Sequence, residues 1–365
     1  MNLIRFAIFL SVFSLVYFGM HWFIYLRVAS GLSLGAREAL FLRVLMAAGS
    51  LTFFAGMFYR VFPPSFHLLR PGNIWFGFIA ILFAAMMMKL PADLLFPQFV
   101  KPVTAVVVAL SLLAGTYSVF NAAGPVRVKQ LTLPTPRLTV PSFKIVQVSD
   151  LHLTRLRSVE WLDGIVDAVN AQNADLIVIT GDNIDEGMDG TGKFVESLKR
   201  LKAVHGVYAI PGNHDHYACI ENMYALMRAT GIHVLRNEKT EVGGITLVGI
   251  DDEDESVMAD YENLLHKIIT PGGPPVVLLK HRPTDFDAAA EASVFLQLSG
   301  HTHAGQIPPL DIIVQFVFKH PYGLYSFNGA YIHTTCGTGT WGPPMRLFST
   351  SEIAVLTLTT APLMH

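Results

Sequence analysis

Five short segments in the second half of this chain concentrate histidine, aspartate and asparagine. They read Asp150-Leu151-His152, Gly181-Asp182-Asn183, Gly212-Asn213-His214-Asp215, Lys280-His281-Arg282 and Gly300-His301-Thr302-His303. Imidazole, carboxylate and carboxamide groups are the donors that hold divalent metal ions when they converge. Taken singly, each segment has a plainer explanation: an aspartate after a strand is ordinary turn chemistry, and an isolated DxH or GD carries little information. Five of them in order, each after an apolar run, are harder to assign to turns. Gly181, Gly212 and Gly300 fit the same picture, because backbone must bend sharply where side chains crowd an ion.

The elements that must position these residues are legible from periodicity. Apolar runs at Phe143–Val148, Leu176–Thr180 and Val207–Ile210 alternate with helical patterns over 159–171 and 193–203. That alternation predicts βαβ units and a buried sheet. Ligands bind outside the carboxyl ends of such strands, so the polar clusters would meet there. Later runs at Ile245–Ile250, Val276–Leu279, Val294–Leu298, Ala330–Thr334 and Ile353–Leu358 have fewer helices between them and predict a second, mixed sheet stacked on the first.

The ordered set DxH, GD, GNHD, H and GHxH resembles the calcineurin-like metallophosphoesterases over roughly 143–360. The flanking Ser149, the run His303-Ala304-Gly305-Gln306-Ile307 and the segment Trp341-Gly342-Pro343-Pro344-Met345-Arg346-Leu347 are most similar to the membrane-associated YkuE/YaeI-like branch. The resemblance implies a four-layer αββα sandwich and two divalent cations, with Mn, Fe and Zn all compatible with the ligands. One ion would be held by Asp150, His152, Asp182 and His303, the other by Asp182, Asn213, His281 and His301, with Asp182 bridging. Such a pair activates a water and clamps a phosphoryl group, so that hydroxide attacks phosphorus with no phosphoenzyme. By the same resemblance His214 lies near the leaving oxygen and Asp215 orients its ring. Arg155, Arg282 and Arg346 are candidates for phosphate contact or plain ion pairs. His216 and Tyr217 read as loop residues, and His205, His233, His266, His320 and His333 lack ligand spacing. The acidic run Asp251–Glu255 reads as a solvated loop, without the ligand spacing and glycine of an EF-hand.

The first third is of another composition. The whole chain is 52% hydrophobic and 15% charged, against about 25% charged in an average soluble domain. Residues 1–121 hold eight Lys/Arg and two acids, leaving 18 bases and 26 acids in the rest. An acidic second part is a poor partner for nucleic acid. Nothing in the sequence identifies a protein partner, and Cys219 and Cys336 form no motif. Phe6–Leu26 and the stretch between Lys101 and Arg127 contain no charge and are long enough to span about 30 Å of hydrocarbon. Two weaker runs, Val44–Tyr59 and Ile74–Met88, end near basic residues that can snorkel. The expectation is about four spans over 1–121, a linker and edge strand over 122–141, and a catalytic domain over 142–365. The plainer alternative for the middle runs is a buried helical hairpin. Trp22, Tyr25, Tyr59 and Trp75 fit an aromatic belt. With four spans, the side shared by the N-terminus and the C-terminal domain carries Arg5, Arg60, Arg70, Arg127, Lys129, Arg137 and Lys144, against five bases opposite, which leans toward a cytoplasmic catalytic face on a multi-pass membrane protein.

A phosphoesterase beside membrane spans suggests a substrate in the bilayer. The apolar segment Pro308–Phe318, directly after a ligand motif, is either core or a lipid-facing patch. The resembled branch includes hydrolases of UDP-2,3-diacylglucosamine, an intermediate of lipid A assembly, although soluble enzymes of that activity carry arginine where this chain has His214. The expected function is therefore hydrolysis of a phosphoester or pyrophosphate in a lipid-linked substrate such as that nucleotide lipid. The alternatives are a broad phosphodiesterase or phospholipid phosphatase and, from another class, a non-catalytic membrane scaffold.

Overall fold

In the computed structural model, which describes residues 3–58, 62–252, 261–270 and 272–360, the apolar first third forms four helices: α1 (Leu3–Gly31), α2 (Ala36–Met57), α3 (Phe66–Leu95) and α4 (Val100–Ala123). All four are long and apolar enough to cross a membrane. The weak runs are thus parts of longer helices, extended past their charged ends. In α2, Leu40, Phe41, Val44, Leu45 and Leu51 are exposed, whereas Ile79, Ala80, Ile81 and Met86 of α3 are buried. Tyr59 and Arg60 lie outside the described residues. Small residues let α2 and α3 approach closely, because a side chain at Gly56 would meet the Leu69 backbone and one at Gly72 the Phe53 backbone.

The chain divides into two compact units. The first comprises Met1–Ala123 with two short returns of the chain, Ile307–Leu310 and Gly342–Phe348; the second is the remainder. A single boundary near residue 141 does not anticipate those returns. Ile307, Met345 and Leu347 are buried in the helical cluster with Met20, Ile24, Ile79 and Met86. The Arg346 amide donates to Ser118 O, and Asn121 Nδ2 donates to Arg346 O.

The second unit is built on two six-stranded sheets. The first runs in the order β1 (Arg127–Pro134), β12 (Glu352–Thr359), β2 (Ser142–Val148), β3 (Leu176–Thr180), β4 (Val207–Ile210), β5 (His233–Val234). The second runs β10 (Gly323–Phe327), β11 (Ala330–Thr334), β9 (Val294–Ser299), β8 (Val276–Leu279), β7 (Ile245–Gly249), β6 (Glu238–Val242). Both are mixed: β12 is antiparallel to β2 in one, and β10 and β6 are antiparallel to their neighbours in the other. β1 is an edge strand ending at Pro134, where a missing amide costs no ladder bond.

The period of each element explains its layer. The central strands are buried on both faces and read as unbroken apolar runs. One face of each sheet meets the other through Ile145, Val178, Leu247, Val277 and Leu296. The outer face of the first sheet is covered by α5 (Val159–Asn170) and helix Ile220–Thr230, and that of the second by helices Tyr261–Ile268 and Phe286–Glu291. The result is the four-layer αββα arrangement. The helical pattern over 193–203 is broken in fact, with short turns over Met188–Thr191, Gly192–Phe194 and Val195–Leu198. Phe194 is fully buried beneath them. Phe194→Ala should cost about 3–5 kcal/mol through the cavity it leaves, read as a lowered unfolding temperature in calorimetry; an unchanged transition would show that the site collapses freely.

Candidate metal centre

Parallel register is what gathers the five polar segments. Val148 of β2 pairs with Ile179 of β3, and Thr180 of β3 with Ile210 of β4, so Asp150, Asp182 and Asn213 leave the first sheet at one level. In the second sheet Leu279 of β8 pairs with Leu298 of β9, which brings His281 and His301 level with each other. Between the sheets, Gln147 Nε2 donates to Thr180 Oγ1 and to Ser299 O, each at 3.0 Å, while its Oε1 faces His333 Nδ1 at 2.8 Å. Burial pushes the His333 imidazole down to about 3, so it stays neutral in this bridge.

The turns are strained where the ligand candidates sit. Asp150, His152, Asp182, His301 and His303 all have φ between 45° and 70°, a left-handed conformation that non-glycine residues adopt at a cost of about 1–3 kcal/mol each and that collects at functional sites. Glycine meets a further demand at Gly300, where a side chain would overlap Ser149 Oγ and Asp150 Oδ2. Gly300→Ala should displace the Asp150 carboxylate and destabilise the domain by about 1–3 kcal/mol. Its expected signature is a lower metal content per chain by elemental analysis, and wild-type content would contradict the crowding argument.

Among the described residues three groups of donors result. Asp150, His152 and His303 converge in one, Asp182, His281 and His301 in a second, and His152, Asp185 and His214 in a third, with candidate ligand atoms of each group within 4.8 Å of one another. The first two carry the expected ligands. His152 Nε2 lies 3.0 Å from His303 Nε2, and His303 Nε2 lies 3.4 Å from Asp150 Oδ1. In the second group, Asp182 Oδ2 is 3.1 Å from His281 Nε2, and His281 Nε2 is 3.3 Å from His301 Nδ1. Asp182 Oδ2 is also 3.7 Å from His152 Nε2, so one carboxylate faces both groups. Its other oxygen accepts from the His214 amide at 2.8 Å.

These residues fit a pair of metal ions by their hydrogen bonding. His281 Nδ1 donates to Thr180 O at 2.8 Å, and His152 Nδ1 donates to Asp185 Oδ1 at 2.8 Å, which turns both Nε2 atoms toward the carboxylates, where a cation would replace the proton each carries. Asn213 Oδ1 is buried with no hydrogen-bond partner among the described residues, an arrangement that a cation would satisfy. Burial opposes charge on His152 and His281, yet Asp185, Asp182 and Asp150 hold the first up to about 9, and Asp182 with Asp150 and Asp252 the second up to about 10. The same burial raises Asp150, and, with His281 beside it, brings His301 down to about 3. Asp182, despite burial, is held well below the usual carboxylate range by His281, His152 and His214. A pocket that draws positive charge this strongly suits cations.

The role implied for Asp215 is not what the structure shows. Its carboxylate turns away from the His214 ring and accepts from the amides of Gly212, Asn183 and Ile184 and from Asn183 Nδ2. Burial, with Asp182 nearby, raises it to about 6. It pins the β3 and β4 turns together. Asp185 holds the ring instead: its Oδ1 accepts from His214 Nδ1 at 2.9 Å as well as from His152. Asp185 was missed because it follows Asp182 by three positions on an irregular turn; the GDxxD spacing was the available signal. His214 also meets the rings of Tyr217 and Trp341, with centroids 5.3 and 6.0 Å away.

Other expectations change as well. His216 and Tyr217 are in the short helix Asn213–Tyr217, and His216 Nε2 pairs with Asp251 at 2.8 Å. Asp251 is buried and also pairs with Arg236, while the Asp252 carboxylate is buried 3.3 Å from Arg282 Nε. The start of the acidic run is therefore structural rather than solvated; residues 253–255 lie outside the described residues. Arg155 pairs with Glu186 and Asp189, and Arg346 is wholly buried in the helical unit. Of the three arginines, Arg282 is the one whose charge reaches a ligand candidate, His301.

A two-sheet α/β sandwich with paired His/Asp clusters at its strand ends defines the class as a metal-dependent phosphoesterase fold. Residues 143–305 match the calcineurin-like phosphoesterase family. A metallophosphoesterase of Helicobacter pylori is 35% identical over 219 residues, 59% of this chain and 59% of the relative. The transmembrane protein with metallophosphoesterase domain of Danio rerio is 34% identical over 275 residues, 70% of this chain and 62% of that one. The metallophosphoesterase YkuE of Bacillus subtilis is 34% identical over 227 residues, 59% of this chain and 79% of YkuE. The chain belongs to the calcineurin-like metallophosphoesterase family. Its match spans about three fifths of the length of the Helicobacter and zebrafish relatives.

Proposed function

We propose that this protein is a membrane-anchored, two-metal phosphoester hydrolase that acts on a lipid-linked phosphoester or pyrophosphate. The observation that carries the hydrolase reading is the Asp182 carboxylate facing two adjacent His/Asp clusters with His214 beside it. Asp150, His152, Asp182 and His303 would hold one divalent ion, and Asp182, Asn213, His281 and His301 the other. Bound there, the ions supply Lewis acidity and a water of lowered pKa. The chain's own residues do the rest. Asp185 fixes His214 through Nδ1, leaving Nε2 to carry a proton toward a departing oxygen. Thr180 O and Asp185 fix the tautomers of His281 and His152.

The lipid reading is supported by the four apolar helices and by helix Leu310–Val317. That helix has no buried residue and exposes Ile312, Ile313 and Val317, with Phe316 87% exposed. It is not a core element, which leaves the lipid-facing alternative for this segment. The chain is read as multi-pass, and its basic residues favour a cytoplasmic catalytic face. UDP-2,3-diacylglucosamine is the named candidate substrate. The test is purified full-length protein in detergent with Mn, assayed for UMP release from that nucleotide lipid and for cleavage of bis(p-nitrophenyl) phosphate. UMP release supports the candidate. Cleavage of the aryl diester alone removes it and favours a broad phosphodiesterase, and metal-loaded protein that cleaves neither overturns the hydrolase reading in favour of a scaffold.

A further inference from the structure

Two neighbourhoods of the metal centre differ in what they present to a substrate. His214 has Nδ1 committed to Asp185, so its Nε2 is the atom that meets a departing oxygen. Its ring contacts those of Tyr217 and Trp341, with centroids 5.3 and 6.0 Å away and planes inclined at 63° and 74°. Both rings stay in solvent: Tyr217 is 73% exposed and Trp341 44%. Trp341 is held there by its backbone. Its amide donates to Gln306 Oε1 at 3.0 Å and its carbonyl accepts from Gln306 Nε2 at 2.9 Å, while Arg157 Nη2 donates to Thr340 O at 3.1 Å. A large aromatic side chain fixed in water forgoes the burial that would stabilise it, and these two do so beside the proton donor.

At His301 the surface is hydrocarbon instead. Helix Leu310–Val317 exposes Ile312, Ile313, Phe316 and Val317, and the next residue, Phe318, sets its ring against that of His301 with centroids 5.5 Å apart. The exposed apolar surface therefore adjoins the second donor group, whereas the aromatic pair adjoins His214, whose ring meets that of His152 in the first group at 4.8 Å. A hydrocarbon chain gains from buried area alone, which the helix offers; a ring gains in addition from stacking on Tyr217 and Trp341. We propose that the substrate lies with its lipid on the His301 side and a ring-bearing, non-lipid group at His214, so that the ring-bearing group leaves and the phosphoryl group stays on the lipid. A water oxygen bonds to phosphorus, the bond from phosphorus to the oxygen of the ring-bearing group breaks with its electron pair, and that oxygen takes a proton from His214 Nε2. The water releases one proton to solvent, and His214 regains one from it. The inference rests on the lipid-linked hydrolase reading and adds to it which of two bonds to phosphorus breaks.

The probe is dodecyl 2-phenylethyl phosphate, a diester of two primary alcohols of similar basicity, so that chemistry alone favours neither bond. Full-length protein in detergent with Mn is given this probe, and the ratio of 2-phenylethanol to dodecanol released is measured by chromatography. The expected ratio is about ten, the scale of one aromatic contact. Trp341→Leu and Tyr217→Leu should each bring it toward one, Trp341→Phe should keep most of it, and Phe316→Gln should lower it from the lipid side. Tyr217 and Phe316 are exposed, so those two variants test the reading even if Trp341→Leu fails to fold. A ratio near one, an excess of dodecanol, or a ratio unmoved by both leucine variants overturns the proposal. Failure to cleave the probe while bis(p-nitrophenyl) phosphate is hydrolysed also overturns it and leaves the hydrolase reading standing; metal-loaded protein that cleaves neither removes both.

Discussion

Asp182→Asn is expected to lower turnover of a phosphodiester by about a thousandfold or more and to leave fewer than two divalent ions per chain. Asp182 Oδ2 is close to imidazoles of both clusters, His281 at 3.1 Å and His152 at 3.7 Å. Asparagine keeps the shape and can still accept from the His214 amide through Oδ1. It removes the charge that would neutralise two cations at once. The melting temperature should fall, since the attraction of His281, His152 and His214 that holds Asp182 ionised is lost, and relief of repulsion with Asp150 and Asp215 offsets only part of it. Elemental analysis, steady-state kinetics and a melting curve on the same preparation separate loss of metal from loss of structure. Full metal content with more than about a tenth of wild-type turnover would remove Asp182 as the bridge between the clusters.

His214→Ala should behave differently. Two ions should remain, because His214 belongs to neither of the two groups that Asp182 faces but to a third with Asp185 and His152, while kcat falls by about 10²–10⁴. The fall should be steep for an alkyl leaving group, which needs a proton, and shallow for p-nitrophenolate, which does not. A uniform fall across leaving groups would mean that His214 positions substrate and does not serve as an acid. Asp185→Asn should combine two defects, since its Oδ1 holds both His214 and His152. It should reproduce the leaving-group dependence and, by loosening the hydrogen-bond partner of a ligand, weaken metal affinity about 10–100-fold. Metal titration of the two variants distinguishes them.

The contrast between Asp185 and Asp215 shows how far residue spacing can be read. Both aspartates follow a motif residue closely, and the family resemblance implies the ring-orienting role for Asp215. A side chain's direction after a strand end depends on a few left-handed residues, here Asp150, His152 and Asp182, and those angles are imposed by crowding from neighbouring turns. Gly212 and Gly300 are where that crowding is visible, and neither contact is local in sequence.

Periodicity carried most of the architecture, because alternation of apolar runs with helical patterns reflects burial on a sheet whatever the partners are. Runs such as Leu176–Thr180, Val207–Ile210 and Val276–Leu279 coincide with their strands. Short or half-exposed elements left no such trace. The two-residue β5, the polar β6 and the exposed β10 bury too little surface to impose a pattern. The helices Tyr261–Ile268 and Phe286–Glu291 are too short for a clear period.

What the amino-acid order determined by itself is chemical: which donors are present, that they follow strands, and that the first third is apolar enough for a membrane. What only the tertiary structure decided is direction and company. Folding turned Asp185 rather than Asp215 onto the His214 ring, buried Asp251 in ion pairs, left helix Leu310–Val317 without a buried residue, and drew Gly342–Phe348 into the helical unit. The physical reason is that composition and period report how much surface an element buries, whereas the partner of a particular atom is set here by contacts from residues 15 to 225 positions away.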